Sequence, residues 1–260
     1  MTVSVLLPNM GKINAALHDW LVTVDVDLLE QKTYRVSPLE KAFNVLHRRF
    51  LATDSEYAFV LNADEMPPRG ALEKLIEYDK DMVSCVAPKW DEHNGPLPVA
   101  SRWSEDHGAF VYLNEPGLHR ADRCGFSGIL IKRAVMEAIP VGTFEYKPTA
   151  ECECGWIDHR AAGIPVCPKC GKPTVVDGTY FISPEFRFED VAREMGFELW
   201  VDFDLQMHHF VDGVDLKAIN YQLMKMRDKT LSGVVERVRM LRDDGESDAE
   251  IVDALIAQGE

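Results

Sequence analysis

Short apolar runs recur along this chain, separated by stretches whose apolar residues fall at helical spacing. The runs are Val3 to Leu7, Tyr57 to Leu61, Met82 to Ala87, Gly128 to Lys132 and Glu198 to Asp202. Between them the spacing predicts helices over Ala15 to Val22, Pro38 to Ala52 and Gly70 to Tyr78, with another opening at Ser183-Pro184. Strand, helix, strand in this order is the grammar of an α/β domain. The helix at Pro38 has a legible start, with Ser37 as N-cap, Pro38 at its first position and Glu40 closing a capping box. A loop carrying Pro and Gly is expected from Ala87 through Arg102.

At 260 residues the chain is expected to form one large domain or one domain carrying an insertion. Its net charge of −15 argues against nonspecific binding to nucleic acid or to anionic membrane surfaces. A nucleotide substrate remains compatible with that charge if a divalent cation bridges it. No run approaches the 18 or so apolar residues of a membrane span. The N-terminus has neither a basic leader nor a cleavage site, so a cytoplasmic protein is expected.

One segment breaks the alternation. Residues 149–178 have almost no periodicity and hold Cys152, Cys154, Cys167 and Cys170 in a C-x-C-x12-C-x2-C pattern. The second half, Cys-Pro-Lys-Cys-Gly, is a zinc-knuckle turn, and four thiolates fill a tetrahedral sphere with no place left for water. The segment therefore reads as an inserted zinc ribbon, a scaffold or docking surface, with His159 the alternative to Cys152 as fourth ligand. After it, amphipathic helices are expected over Leu216 to Arg242 and, behind the capping box Ser247 to Glu250, in the tail.

A second candidate site lies where the run Tyr57 to Leu61 stops abruptly in Asn62-Ala63-Asp64-Glu65-Met66-Pro67-Pro68. Ligands of open α/β sheets bind beyond the carboxyl ends of strands, and a carboxylate there can hold a hard cation against a diphosphate.

With these residues in view, the order of motifs resembles that of glycosyltransferases of the GT-A fold, similar to the inverting, family-two-like enzymes, over about Val3 to Phe210 without the ribbon. In that family an apolar strand ends in D-x-D before Pro-Pro, and Asn62-Ala63-Asp64 stands in the matching place. The resemblance implies Asp64 as metal ligand, Asn62 at the ribose or a metal-bound water, and Glu65 as a helper. Cys124 to Arg133 is similar to the G-x-G-x-x-L-I-x-R stretch, which puts the donor sugar against Gly125 and Gly128. Ser183-Pro184-Glu185, followed by Ala192-Arg193-Glu194-Met195-Gly196-Phe197 and Trp200-Val201-Asp202, resembles the S-E-D segment and its sequel. Aligned without gaps, Glu185 takes the place of the general base, with Asp190 its rival.

Helical geometry arbitrates between the two. If Phe188, Val191, Ala192 and Met195 form the buried face, Asp190 points about 150° away from it, towards solvent, while Glu185 sits in the first turn. Downstream, the resemblance implies a histidine metal ligand, His209 by spacing and His208 as alternative. The nucleotide base would lie near Pro8 to Lys12. Trp90, Arg102, Trp103 and His107 are candidates for an acceptor platform.

The implied fold is a Rossmann-like mixed sheet of the nucleotide-diphospho-sugar transferase type, flanked by helices. Residues 1–148 and 179–212 would form the transferase domain, 149–178 the ribbon and 213–260 a C-terminal helical extension. The implied reaction is transfer of a sugar from a nucleotide-sugar donor to an acceptor hydroxyl, using Mn2+ or Mg2+, with Zn2+ structural. The acceptor stays open among protein, glycan, lipid headgroup and modified nucleic-acid base. Two alternatives are a nucleotidyltransferase, for which Pro8-Asn9-Met10-Gly11-Lys12 is a faint loop signal, and a zinc-ribbon interaction module on an inactive scaffold.

Overall fold

The computed structural model describes residues 1–33, 39–91, 95–154, 157, 166–176, 181–211 and 214–215. The described elements run β1 (Val3–Asn9), α1 (Ala15–Leu21), β2 (Asp27–Lys32), α2 (Leu39–Leu51), β3 (Tyr57–Val60), β4 (Glu65–Met66), α3 (Ala71–Glu77) and β5 (Met82–Val86). Then come β6 (Pro88–Asp91), β7 (Gly95–Pro98), β8 (Ala100–Ser104), β9 (Ala109–Tyr112), β10 (Leu118–Ala121), β11 (Arg123–Cys124), β12 (Ile129–Lys132) and α4 (Arg133–Ala138). The rest are β13 (Lys147–Pro148), β14 (Phe181–Ile182), α5 (Pro184–Glu194), β15 (Leu199–Gln206), β16 (His208–Val211) and β17 (Val214–Asp215).

Seven strands form one mixed sheet in the order β10-β15-β5-β12-β3-β1-β2. β1 runs parallel to β2 and β3, and β15 parallel to β5, while β12 lies antiparallel between β3 and β5. Alternate side chains serve two cores because successive residues of a strand face opposite ways. Leu6, Ala58, Val60, Ile129 and Ile131 pack with α2, α4 and α5 on one face; Val5, Leu7, Phe59, Leu130 and Val83 pack with α1 and α3 on the other. Burial on both faces is why these runs are apolar throughout. The first core is centred on Phe43, Phe126, Phe144 and Phe188, with the rings of Phe144 and Phe188 stacked at 4.8 Å.

Two expectations change. The stretch expected as a loop after β5 holds the hairpins β6–β7 and β8–β9; the fixed φ of Pro88, Pro96 and Pro98 suits short peripheral strands as well as it suits loops. On α5, Phe188, Val191 and Ala192 are buried as expected, but Met195 is 47% exposed and Asp190 only 2%. The helix is covered on two sides, by the aromatic core and by β11, and the second side is polar. There Arg123 Nη2 meets Asp190 Oδ2 at 2.6 Å, and Arg193 Nη2 meets Asp190 Oδ1 at 2.9 Å. A single apolar stripe could not foresee that, because a buried ion pair leaves no hydrophobic signature.

The N-cap at Ser37, His159 and the C-terminal helices lie outside the described residues. Among the described residues, no helix is long and apolar enough to cross a membrane.

Candidate metal and donor site

β3 ends at Val60, and the chain turns through Asn62 and Asp64 into the two-residue strand β4. That strand pairs antiparallel with β16, setting His209 opposite Glu65 and His208 opposite Met66. A further backbone bond runs from Phe210 N to Asp64 O at 2.8 Å. One ligand atom from each of Asp64, Glu65 and His209 falls within 4.8 Å of the others. His209 Nε2 is 3.7 Å from Asp64 Oδ2 and 3.8 Å from Glu65 Oε1.

Pairing to β4 explains which histidine takes part. Neighbouring residues of β16 face opposite sides, so His208 stacks on Phe210 instead. His209 Nδ1 lies 2.7 Å from the Pro88 carbonyl. With the Nδ1 proton donated to that carbonyl, Nε2 is the nitrogen that faces the two carboxylates, and it can ligate a metal once its own proton is displaced.

Glu65 is the buried member of the group, 5% exposed, with Asn62 Nδ2 at 3.4 Å from its Oε1. Its Oε2 is buried with no hydrogen-bond partner among the described residues. Burial raises the Glu65 pKa; His209 and Ser127 oppose this, and Asp64 adds to it. His209 goes the other way: burial lowers its pKa, but the Asp64 and Glu65 carboxylates and the Pro88 carbonyl outweigh that and bring it to about 9. Both shifts express one imbalance, two carboxylates facing a single imidazole. Hard oxygens with one imidazole suit a divalent cation such as Mn2+ or Mg2+, and the unpartnered Oε2 is a vacant donor of the right kind.

The surrounding backbone is tightly drawn. Asn62 N donates to Ser127 Oγ at 3.0 Å, and Gly128 N to Val60 O at 2.8 Å. Gly128 has φ +72°, and a Cβ there would meet Met207 Sδ at 2.3 Å; at Gly125 the nearest contact would be Val99 Cβ at an ordinary 3.5 Å. Gly128 is therefore demanded by packing, whereas Gly125 has room. At the end of β1, beyond the buried Pro8, Asn9 Nδ2 donates to Glu30 Oε1 at 2.8 Å and Asn9 Oδ1 accepts from Gly11 N at 2.8 Å.

Glu185 lies half-buried in the first turn of α5, after Ser183, whose Oγ accepts from Phe186 N at 3.4 Å. Asp190 is held between Arg123 and Arg193, and Glu189 beside it accepts from Cys124 N at 3.2 Å. Trp103 packs edge-on to Phe110 at 5.2 Å, Arg102 donates to the Arg120 carbonyl, and His107 is exposed in the β8–β9 turn. Neither the Arg123 ion pair nor the Pro88 carbonyl that orients His209 leaves a signature in the linear pattern of residues.

The four clustered cysteines form a second group of convergent ligands, all Sγ atoms within 4.8 Å. Cys152 and Cys170 are 3.4 Å apart, Cys154 and Cys167 3.7 Å. A disulfide needs about 2.05 Å. A tetrahedral ion with Zn–S bonds of about 2.3 Å sets its sulfurs about 3.8 Å apart. Gly171 N donates to Cys167 O at 2.9 Å with Gly171 at φ +72°, which is the turn the C-P-x-C-G sequence predicts.

The fold and these sites define a mixed α/β protein with a carboxylate–imidazole group beyond the carboxyl ends of its sheet and a four-thiol cluster between β13 and β14. No family model matches the chain, and no curated protein matches it in sequence. Among solved structures it is similar to the crystal structure of A197 from STIV, with TM-score 0.54 and 16% identity over 82% of this chain and 88% of that one. It shares that fold. The inositol-1-phosphate CTP transferase from T. maritima (TM-score 0.33, 15% identity, 78% of this chain and 71% of that one) and HddC from Yersinia pseudotuberculosis (0.29, 14%, 55% and 61%) are too distant in shape to add to it.

Proposed function

We propose that this protein is a divalent-metal-dependent, inverting glycosyltransferase of the GT-A type, taking a nucleotide-sugar donor. The observation that carries the reading is the convergence of Asp64, Glu65 and His209, in which Glu65 is buried and its Oε2 has no hydrogen-bond partner among the described residues. These three side chains would hold Mn2+ or Mg2+, which when bound supplies positive charge against a leaving diphosphate.

This chain's own residues do the rest. Pro88 fixes the His209 tautomer through its carbonyl. Asn9 and Glu30, bonded to each other at the end of β1, offer polar groups to the nucleoside. Gly125, half-buried, would lie against the donor sugar through its backbone. Glu185, in the first turn of α5, takes the proton of the acceptor hydroxyl. Asp190 is the poorer base because two arginines already hold its carboxylate.

The reading extends to the insertion, where Zn2+ fits the four thiols. The stem strands β13 and β14 pair, and β14 runs directly into the Ser183 N-cap of α5. Val166, Val175 and Val176 are more than half exposed, so the insertion's described residues form little core and a metal is what would fix its shape.

The test is nucleotide release from a panel of UDP-, GDP- and dTDP-sugars, with and without Mn2+. Metal-dependent release from one donor, lost in Asp64→Ala, is expected. Glu185→Gln should lower turnover at least about 100-fold, the usual contribution of a general base, while leaving donor affinity unchanged. Silence across the panel, with no nucleotide binding, would favour the zinc-ribbon interaction module.

A further inference from the structure

A groove of about 600 Å³ opens between the β8–β9 hairpin, β10 and the last turn of α5. The hairpin gives it Arg102, Trp103, Glu105 and Phe110; the rest of its described lining is Arg120, Asp122 and Arg193. Of the residues that the sequence suggests for an acceptor platform, Arg102 and Trp103 stand here. The volume lies within the roughly 300–1,000 Å³ of small-molecule sites.

The lining combines an aromatic corner with planar polar groups. Trp103 and Phe110 meet at 5.2 Å between ring centroids with their planes at 72°. The Arg123 guanidinium, 4.0 Å from the Phe110 centroid, backs that ring. The polar groups are fixed from below by the backbone: Trp103 N donates to Asp122 Oδ2 at 2.7 Å, and Arg102 Nε to the Arg120 carbonyl at 3.2 Å. Donors and acceptors held this way cost a ligand little further ordering.

The charges nearly cancel, and that bears on the ligand. Arg120 Nη1 meets Glu198 Oε1 at 3.2 Å, and Arg193 Nη2 meets Asp190 Oδ1 at 2.9 Å with Asp122 Oδ1 at 3.9 Å from its Nη1. Arg102 and Glu105, both exposed, add one charge of each sign. In a chain of net charge −15, such a groove gives a polyanion no attraction. A plain aryl ring would use the aromatic corner and leave the guanidinium and carboxylate groups unanswered. A hydroxyl is donor and acceptor at once, so it can pair with an arginine and with Glu105 or Asp122. A sugar ring carries several hydroxyls around an apolar C–H face that suits an aromatic ring.

We infer that this groove binds an uncharged saccharide. The C–H face of the sugar rests on Trp103 and Phe110, and its hydroxyls pair with Arg102, Arg120 and Glu105. The inference is carried by the lining of the groove alone and holds whether or not the protein transfers a sugar.

A glycan array probed with the full chain tests it, using neutral, sulfated and phosphorylated glycans side by side. Capture by neutral glycans is expected. The strongest neutral glycan is then titrated by ligand-observed NMR against three variants. Trp103→Ala should abolish detectable binding. Arg102→Ala and Glu105→Ala, changes at exposed side chains that should leave thermal melting unaltered, should each weaken it roughly five-fold, the effect of one net hydrogen bond. No capture of any neutral glycan, capture confined to sulfated or phosphorylated glycans, or neutral binding that is unchanged in all three variants overturns the inference. Neither Mn2+ binding nor donor release enters these readouts, so failure of the transferase reading leaves them untouched.

Discussion

Replacing Gly128 by alanine isolates the packing that holds the candidate metal site against the sheet. Gly128 sits at φ +72°, and an added Cβ would lie 2.3 Å from Met207 Sδ, which would have to shift, and 3.1 Å from Cys85 Cβ, a tight contact. Two costs follow. A left-handed conformation costs a non-glycine residue about 1–2 kcal/mol, and overpacking a close-packed core costs about 1–3 kcal/mol. Together they predict a loss of about 2–5 kcal/mol, or a melting temperature lower by roughly 5–15 °C for a domain of this size. Gly125→Ala is the control: its φ is not left-handed and its nearest new contact is 3.5 Å, so it should cost less than about 1 kcal/mol. A double-mutant cycle in urea then asks whether Met207 is the obstacle. Met207 is fully buried, so Met207→Ala alone costs about 2–5 kcal/mol, but combined with Gly128→Ala the loss should fall short of the sum by about 1–3 kcal/mol. Equal stability of Gly128→Ala and wild type, or strict additivity in the cycle, would refute the reasoning.

Two other predictions follow from charge and thiol chemistry. Protein purified without chelator should carry one zinc per chain by elemental analysis, with the four clustered thiols unreactive to a thiol reagent until the metal is removed; four freely reactive thiols and no zinc would remove the ribbon reading. Asp202 is fully buried, with Tyr78 Oη at 2.7 Å and Lys74 Nζ at 3.0 Å. Burial raises its pKa, but the Tyr78 and Lys74 contacts outweigh this and leave it below the ordinary value. A depressed carboxylate stabilises the fold above its unfolded pKa and ceases to do so as pH falls through the folded value. Asp202→Asn should therefore be less stable than wild type by about 1–3 kcal/mol at pH 7, with the two converging below about pH 3.9; a difference independent of pH would contradict the assignment.

Much of the fold was legible because its strands are buried on both faces. The runs around Val5, Phe59, Val83 and Leu130 mark four central strands, and the abrupt polarity after Leu61 marks the end of the sheet where Asp64 and Glu65 lie. β2 was silent because Asp27–Lys32 is a half-exposed edge whose residues carry little apolar signal. Periodicity located the apolar face of α5 but misplaced Asp190, because its partner Arg123 stands 67 residues away. The choice between His208 and His209 depended on the pairing of β16 with β4, which spacing along one chain does not encode. The groove was legible only in part for the same reason: Arg102 and Trp103 stand out in the sequence, but Arg120 and Arg193 reach them only through β10 and α5.

The central claim is that Asp64, Glu65 and His209 hold a divalent cation against a nucleoside diphosphate. Titrating Mn2+ by electron paramagnetic resonance, with and without UDP, GDP or dTDP, tests it directly on wild type and on Asp64→Ala and His209→Ala. The account predicts one Mn2+ site whose affinity rises when one of the three nucleotides is added, and loss of that site in both variants. Undiminished Mn2+ binding in the variants, or wild-type binding that no nucleotide strengthens, would contradict it.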